Sequence, residues 1–398
     1  MEEPDCCGTV AGEADRLRSV TSSRAARIEA IDQLPTPAAV VDLDRLETNI
    51  ARMQATCDRL GVTLRPHLKT HKCVEIARLQ VERGARGVTV STLEESRAFA
   101  SAGFDDLTWA FPVIPGRLDE VRELADAVQL RLVVDSEVAV EALAALGGDL
   151  ELLLKVDCGY HRAGLDPTGD ELLDLAARIE TTPSLRLAGI LSHSGHAYKG
   201  SGRAELAAIA EEERGVMATA ADRLRQSGFA LDTVSVGSTP AMSAVESLDG
   251  VTEARPGNYV FYDWTQVALG SATAADCALT LVSSVVSSRA AAGGGASGGR
   301  AVCDAGALAL SVDPGPNHVG HATMGEIYGD YETGDLEPDL RLVSLSQEHG
   351  VLSRARPVGE RLRILPNHSC LAAACFDAVW VCRGDEVVDR WTIHRERR

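Results

Sequence analysis

At 398 residues and 45% hydrophobic content, the chain exceeds what one core usually organises, so two domains are expected. A formal net charge of −19 surrounds it with a negative field, which excludes nucleic acid and anionic membranes as natural partners and favours a small soluble substrate. Ten cysteines, scattered through apolar stretches rather than densely spaced as in a small secreted domain, are read as mostly reduced thiols.

Residues 1–33 are polar and charged with little apolar periodicity, and are expected to be a flexible leader or a helix that depends on tertiary contacts. Their acidic start does not suit a signal peptide, and no run approaches the roughly 20 apolar residues of a membrane span, so a cytoplasmic location is expected. From Leu34 onward, short β-branched runs alternate with amphipathic stretches, the pattern of βαβ units on a parallel sheet. Eight strands are predicted: Ala38–Leu43, Val62–Lys69, Gly87–Thr92, Leu107–Val113, Leu130–Ser136, Leu150–Cys158, Leu185–His193 and Thr233–Ser238. Apolar spacings of three and four predict helices over Leu46–Leu60, Glu94–Ala102, Glu137–Leu146 and Ala204–Gln226. Eight units in residues 34–270 suit a closed (β/α)8 barrel, with a doubly wound open sheet as the other solution.

Beyond about residue 270, strand-like runs follow without helices between them: Ala278–Ser288, Arg300–Val312, Leu340–Gln347, Arg361–Pro366 and Ala378–Cys382. Residues 271–398 are therefore expected to form a separate, mainly β domain. The glycine-rich segment 290–299 lacks the Lys-Ser/Thr of a phosphate loop and is read as a flexible hairpin loop.

Three constellations carry chemistry. Arg65-Pro66-His67-Leu68-Lys69-Thr70-His71-Lys72 ends the second predicted strand, where barrel enzymes place catalytic groups. Strand alternation would aim Arg65, His67 and Lys69 to one side, and a lysine in a cationic mouth has a depressed pKa and serves as nucleophile or base. A solvated basic loop is the other reading of that composition. Pro366-Asn367-His368-Ser369-Cys370 sets an imidazole and a thiol two residues apart, able to share one zinc ion with open positions left over; a buried histidine beside a core cysteine is the commoner use of such a pair. Gly237-Ser238-Thr239-Pro240 opens a helix where N–H groups and hydroxyls can cradle phosphate, and Arg255-Pro256-Gly257-Asn258-Tyr259 could close its other side; a capped helix and a tight turn account equally for both.

Taken in order with Thr36-Pro37-Ala38-Ala39-Val40-Val41-Asp42, Lys155-Val156-Asp157-Cys158-Gly159-Tyr160-His161-Arg162-Ala163-Gly164, Ser192-His193-Ser194-Gly195-His196-Ala197-Tyr198 and Pro256-Gly257-Asn258-Tyr259-Val260-Phe261-Tyr262-Asp263, these motifs resemble the D-serine dehydratase and D-threonine aldolase family from about Leu34 to the C-terminus. The resemblance implies an alanine-racemase-like barrel of pyridoxal-phosphate fold type III, a C-terminal β domain and a homodimer. It also implies roles: Lys69 as the covalent anchor of pyridoxal phosphate; Arg162, Tyr198, Thr239, Gly257 and Asn258 around that cofactor, next to the Ser238 hydroxyl of the phosphate cradle; His368 and Cys370 as metal ligands. At Leu191 the chain departs from the family pattern, which carries a second tyrosine at the cofactor there. The activity implied is elimination of the β-hydroxyl from a D-amino acid, with the Cα proton taken by Lys69, His67 or His193 and zinc acting on the hydroxyl; D-serine would give pyruvate and ammonia. The alternatives are an aldolase acting on D-threonine or 3-hydroxy-D-aspartate, a 3-hydroxyaspartate dehydratase, and a non-catalytic pyridoxal-phosphate-binding protein. Aldolases of this family tend to carry Asp where this chain has Cys370.

Overall fold

Short apolar strands alternating with one-faced helices can bury both kinds of surface only by wrapping helices around a parallel sheet, and the chain does this. The computed structural model describes residues 28–290 and 299–396, so the expected leader up to residue 27 and the glycine-rich loop at 291–298 lie outside the described residues. Its strands form two sheets of nine and eight.

The first strand, β1 (Ala38–Asp42), is not the first barrel strand, contrary to expectation. The barrel comprises β2 (Thr63–Leu64), β3 (Val88–Val90), β4 (Asp106–Pro112), β5 (Gln129–Val134), β6 (Leu150–Lys155), β7 (Leu185–Leu191), β8 (Thr233–Val236) and β9 (Glu253–Ala254), all parallel to their neighbours. A parallel bridge from His67 to Thr89 closes the sheet, with Thr89 N–H donating to Pro66 O and Arg86 N–H to Leu64 O, each at 2.9 Å. The eighth strand is thus β9, two residues holding no apolar alternation, while β1 is a wholly buried run whose pattern fits a central strand of either sheet.

Helix Leu43–Arg59 shows how the surrounding layer forms: Asp42 caps it by accepting from Arg45 N–H at 3.0 Å, and Leu46, Ile50, Met53 and Cys57 bury one stripe against the barrel. No described helix is long and apolar enough to cross a membrane.

In the second sheet, β10 (Leu279–Ala290) pairs with both β11 (Gly299–Cys303) and β15 (Arg361–Leu365). With β12 (Gly325–Asp330), β13 (Asp335–Leu345) and β14 (Gly350–Leu352) these strands close a small antiparallel barrel around Leu281, Val285, Leu342, Leu352 and Ile364. The predicted run Arg300–Val312 stops at Cys303 and gives way to a helical turn at Ala307–Leu310. On the other side of β10 lie β1, then β16 (Ala378–Arg383) and β17 (Glu386–Thr392).

The second unit meets the mouth of the large barrel along one seam. Trp264 N–H donates to Pro366 O at 3.0 Å and Thr265 Oγ1 to Asn367 O at 2.8 Å, while Asn367 Nδ2 holds Asp313 O and Thr323 O at 3.0 and 2.7 Å. That seam delivers His368 and Cys370 to the C-terminal ends of the barrel strands.

Candidate active site

Lys69 does not extend β2 as expected: the extended chain ends at His67, and Leu68–Thr70 is a 3-10 turn. Pro66 has no N–H to give the ladder, whereas Arg65 and His67 donate to Ala254 O and Pro256 O at 2.9 and 3.0 Å. Arg65, expected to face the same side as Lys69, is fully paired below the mouth, with Glu253 at 2.6 Å and Asp106 at 2.8 Å. It holds strand ends together and is no part of the pocket.

Lys69, His67, His193, Tyr198, His368 and Cys370 each keep partial accessibility, although Leu68, Thr70, Ser192, Ser194, Asn367 and Ser369 beside them are buried. Groups that deep and still partly accessible line a cavity. The Cys370 thiol donates to Thr70 Oγ1 at 3.2 Å, next in sequence to Lys69, so the lysine turn and the His-Cys segment face one space. Burial depresses the Lys69 amine, helped by Arg162 and Arg255 and opposed by Cys370 and Glu95. Burial, then Lys69 and other nearby cations, also hold His67 and His193 well below the ordinary imidazole value, so both are neutral at pH 7.

The His-Cys pair is not extended either. His368 caps the short helix Ser369–Ala373, and Cys370 lies in its first turn. Asp263, fully buried, fixes this end: its Oδ2 accepts from Asn258 Nδ2 at 2.7 Å and Ser369 N–H at 2.9 Å and faces His368 Nδ1 at 3.2 Å. A carboxylate on Nδ1 fixes the tautomer and leaves Nε2 free for a metal. Burial would raise the Cys370 thiol, but His368 and Thr70 bring it below its usual value, which suits a thiolate ligand. No group of three or more His, Cys, Asp or Glu side chains placed to hold a metal occurs among the described residues.

Lys69, Lys155, Arg162 and Arg255 all bring positive charge to His193 and its pocket. Burial brings Lys155 down to about 8, with Arg255 and Arg162 adding to the effect. Arg162 is exposed at the rim with its guanidinium 5.0 Å over the Tyr160 ring. Arg255 is buried, donating to Ser235 Oγ and Ser192 O. The two phosphate-loop candidates do meet, since Tyr259 N–H donates to Thr239 Oγ1 at 3.1 Å and Arg255 N–H to Val236 O at 2.9 Å. Ser238 caps its helix from 3.4 Å and lies 3.2 Å from Ser194 Oγ. Gly257 runs so close to the lysine turn that a Cβ there would stand 2.7 Å from His67 O and 2.9 Å from Thr70 Oγ1. Asn258 points its amide at Asp263, Ser369 and Cys370 rather than at the Ser238 turn, leaving Oδ1 buried without a partner. Leu191 packs with Val133, Leu153 and Ala188 inside the barrel.

Sequence reasoning gave no role to Asp263, Arg255 or Lys155, although each ends or opens a quoted motif. The available signal was chemical: a single acid closing an otherwise apolar turn, and cations at strand ends.

A closed parallel barrel with a lysine at the end of one strand, joined to an antiparallel unit that brings in a histidine and a cysteine, defines an alanine-racemase-type barrel with an added second unit. The chain belongs to the D-serine dehydratase and D-threonine aldolase family: the alanine racemase N-terminal domain matches residues 41–263 and the serine dehydratase domain residues 278–382. D-threo-3-hydroxyaspartate dehydratase of Delftia sp. (strain HT23) is 40% identical over 90% of this chain and 97% of its own, and its solved structure superposes with a TM-score of 0.86. D-serine dehydratase of Dictyostelium discoideum is 33% identical over 90% and 96%, and D-threonine aldolase of Arthrobacter sp. 30% over 92% and 93%. Solved variants of a D-threo-3-hydroxyaspartate dehydratase replace by alanine a histidine and a cysteine two positions apart, the cysteine variant being in the metal-free form.

Proposed function

We propose that this chain is a pyridoxal-phosphate- and zinc-dependent lyase that eliminates the β-hydroxyl of a D-amino acid, D-serine foremost, to give a 2-oxo acid and ammonia. The observation that carries the reading is the shared space of Lys69 and the His368–Cys370 pair, joined by the Cys370–Thr70 hydrogen bond. The cavity suits both groups: an excess of cations and a close Gly257 turn fit a phosphorylated cofactor, and an imidazole oriented by Asp263 beside an acidified thiol fits a thiophilic divalent ion. A metal at this pair agrees with the histidine and cysteine, two positions apart, that are replaced in the solved D-threo-3-hydroxyaspartate dehydratase variants, one of them in a metal-free form.

When bound, pyridoxal phosphate supplies an electron sink for the Cα carbanion and the metal polarises the β-oxygen. The chain's own groups do the rest. Lys69 would hold the cofactor, its depressed amine being neutral more often than an exposed lysine and hence able to attack or accept a proton. His67 and His193, neutral at pH 7, can take the Cα proton. Ser238 and Thr239, with Gly257 leaving room, would face the phosphate; Tyr198 and Arg162 would bound the ring. Two protein ligands leave the metal positions for a substrate oxygen.

The 3-hydroxyaspartate dehydratase reading keeps the same chemistry and gains support from Lys155, a buried cation that forms no direct ion pair among the described residues, with Asp135 its nearby acid, and that could receive a second acid group. Cys370 weighs against the aldolases. A homodimer is also proposed; Leu371, 42% exposed beside Cys370, and Leu308, 56% exposed, offer it an apolar face near the pocket. The test is a panel of D-serine, D-threonine and both 3-hydroxyaspartate series with products identified: 2-oxo acid and ammonia support elimination, glycine with an aldehyde supports the aldolase, and cofactor binding without turnover supports a carrier.

A further inference from the structure

Glu213 sits on the helix Arg203–Gln226 and is 2% exposed. A buried carboxylate needs donors, and its close ones all come from a single tripeptide. Ser192 Oγ donates to Oε1 at 2.7 Å, Ser194 N–H to Oε1 at 3.1 Å, and Ser194 Oγ to Oε2 at 2.6 Å, with Cys158 Sγ adding a long contact at 3.9 Å. The residue between the two serines is His193. The Arg255 guanidinium also donates to the Ser192 carbonyl, so the segment is held by a buried anion and a buried cation together. Ser194 Oγ also lies 3.2 Å from Ser238 Oγ, which ties the same clamp to the Ser238–Thr239 turn.

The helix itself does not need a charge here. Leu206, Ile209, Ala210, Met217, Ala220 and Leu224 supply its buried stripe, and an apolar residue at 213 would avoid the cost of desolvating a carboxylate. We propose that Glu213 is a positioning residue, which fixes the imidazole of His193 in the pocket by gripping the serines on either side of it. This rests on the reading of His193 as a proton acceptor, and the test separates the two.

The test uses the full chain with isotope-labelled histidine, with His193 identified by the resonance lost in His193→Asn. In cofactor-free Glu213→Gln the His193 imidazole resonance is expected to shift and broaden while that of His349, in the second unit, stays in place. With cofactor and metal restored, kcat for elimination is expected to fall roughly 10- to 100-fold with KM changed less than about 3-fold, and Glu213→Asp to recover part of the loss. Ser194→Ala, a milder cut at the same clamp, gives the same readouts if Glu213→Gln does not fold. Folded Glu213→Gln or Ser194→Ala protein with an unmoved His193 resonance and full kcat overturns the proposal. A displaced His193 in a chain that turns over no β-hydroxy amino acid leaves the clamp standing and removes the proposed function.

Discussion

His71 shows how burial sets charge around the lysine turn. It is 1% exposed, its Nδ1 accepts Cys73 N–H at 3.1 Å, and burial takes its pKa to about 3. The folded imidazole stays neutral where the unfolded one, near 6.5, takes a proton, so the unfolded state binds more protons between those values and stability is lost as the pH is lowered through that window. Each pH unit below about 6.5 should cost about 1.4 kcal/mol from this group. Denaturant unfolding of the cofactor-free chain at about pH 7 and about pH 5.5 checks it; in His71→Gln the pH slope should be shallower by one proton, and an unchanged slope contradicts the account. At the other end of the pocket, Asp263→Asn removes the carboxylate that orients His368. Metal affinity should weaken about 10- to 100-fold, measured by titration against a competing chelator, with the fold retained.

Elements explain both what the sequence disclosed and what it hid. The repeating change from period two to period three or four was legible because each helix buries one stripe, as Leu46, Ile50, Met53 and Cys57 do. The sheet that β1 joins was not legible, since a strand buried at every position has no face to read, and β9 has only two residues. The lysine and the His-Cys pair were recognisable as reactive types in ordered motifs. Their turn geometry was not, because the chain leaves the ladder after His67 into Leu68–Thr70 with no glycine or proline there to mark the turn, and because the Asp263 contacts that order His368 cross more than a hundred residues. Gly257 tests the closeness of these elements: Gly257→Ala places a methyl against His67 O and Thr70 Oγ1, so the lysine turn must move. Retention of pyridoxal phosphate, followed by absorbance after gel filtration, should drop at least about tenfold; full retention would mean the turns are looser than they stand.

Over the whole molecule, two units build one pocket, and the second of them is not continuous in sequence. β1 fills the slot between β10 and β16, so we propose that the second unit folds around residues 38–42 as well as the C-terminal part. Val40→Asp, at a position with no exposed surface, should therefore destabilise chiefly that sheet by more than about 4 kcal/mol, seen as an early loss of β signal in denaturant. The charge is divided too: a chain of net −19 concentrates Lys69, Lys155, Arg162 and Arg255 at one cavity, which draws a carboxylate or phosphate inward through a negative surround.

The most direct check on the joint use of lysine and metal is 2-oxo acid release from D-serine by the pyridoxal-phosphate-loaded chain, before chelation, after it, and after zinc is returned, alongside Cys370→Ala. Release that stops on chelation, returns with zinc and stays absent in Cys370→Ala is the predicted result; undiminished release by the chelated enzyme and by Cys370→Ala would contradict it.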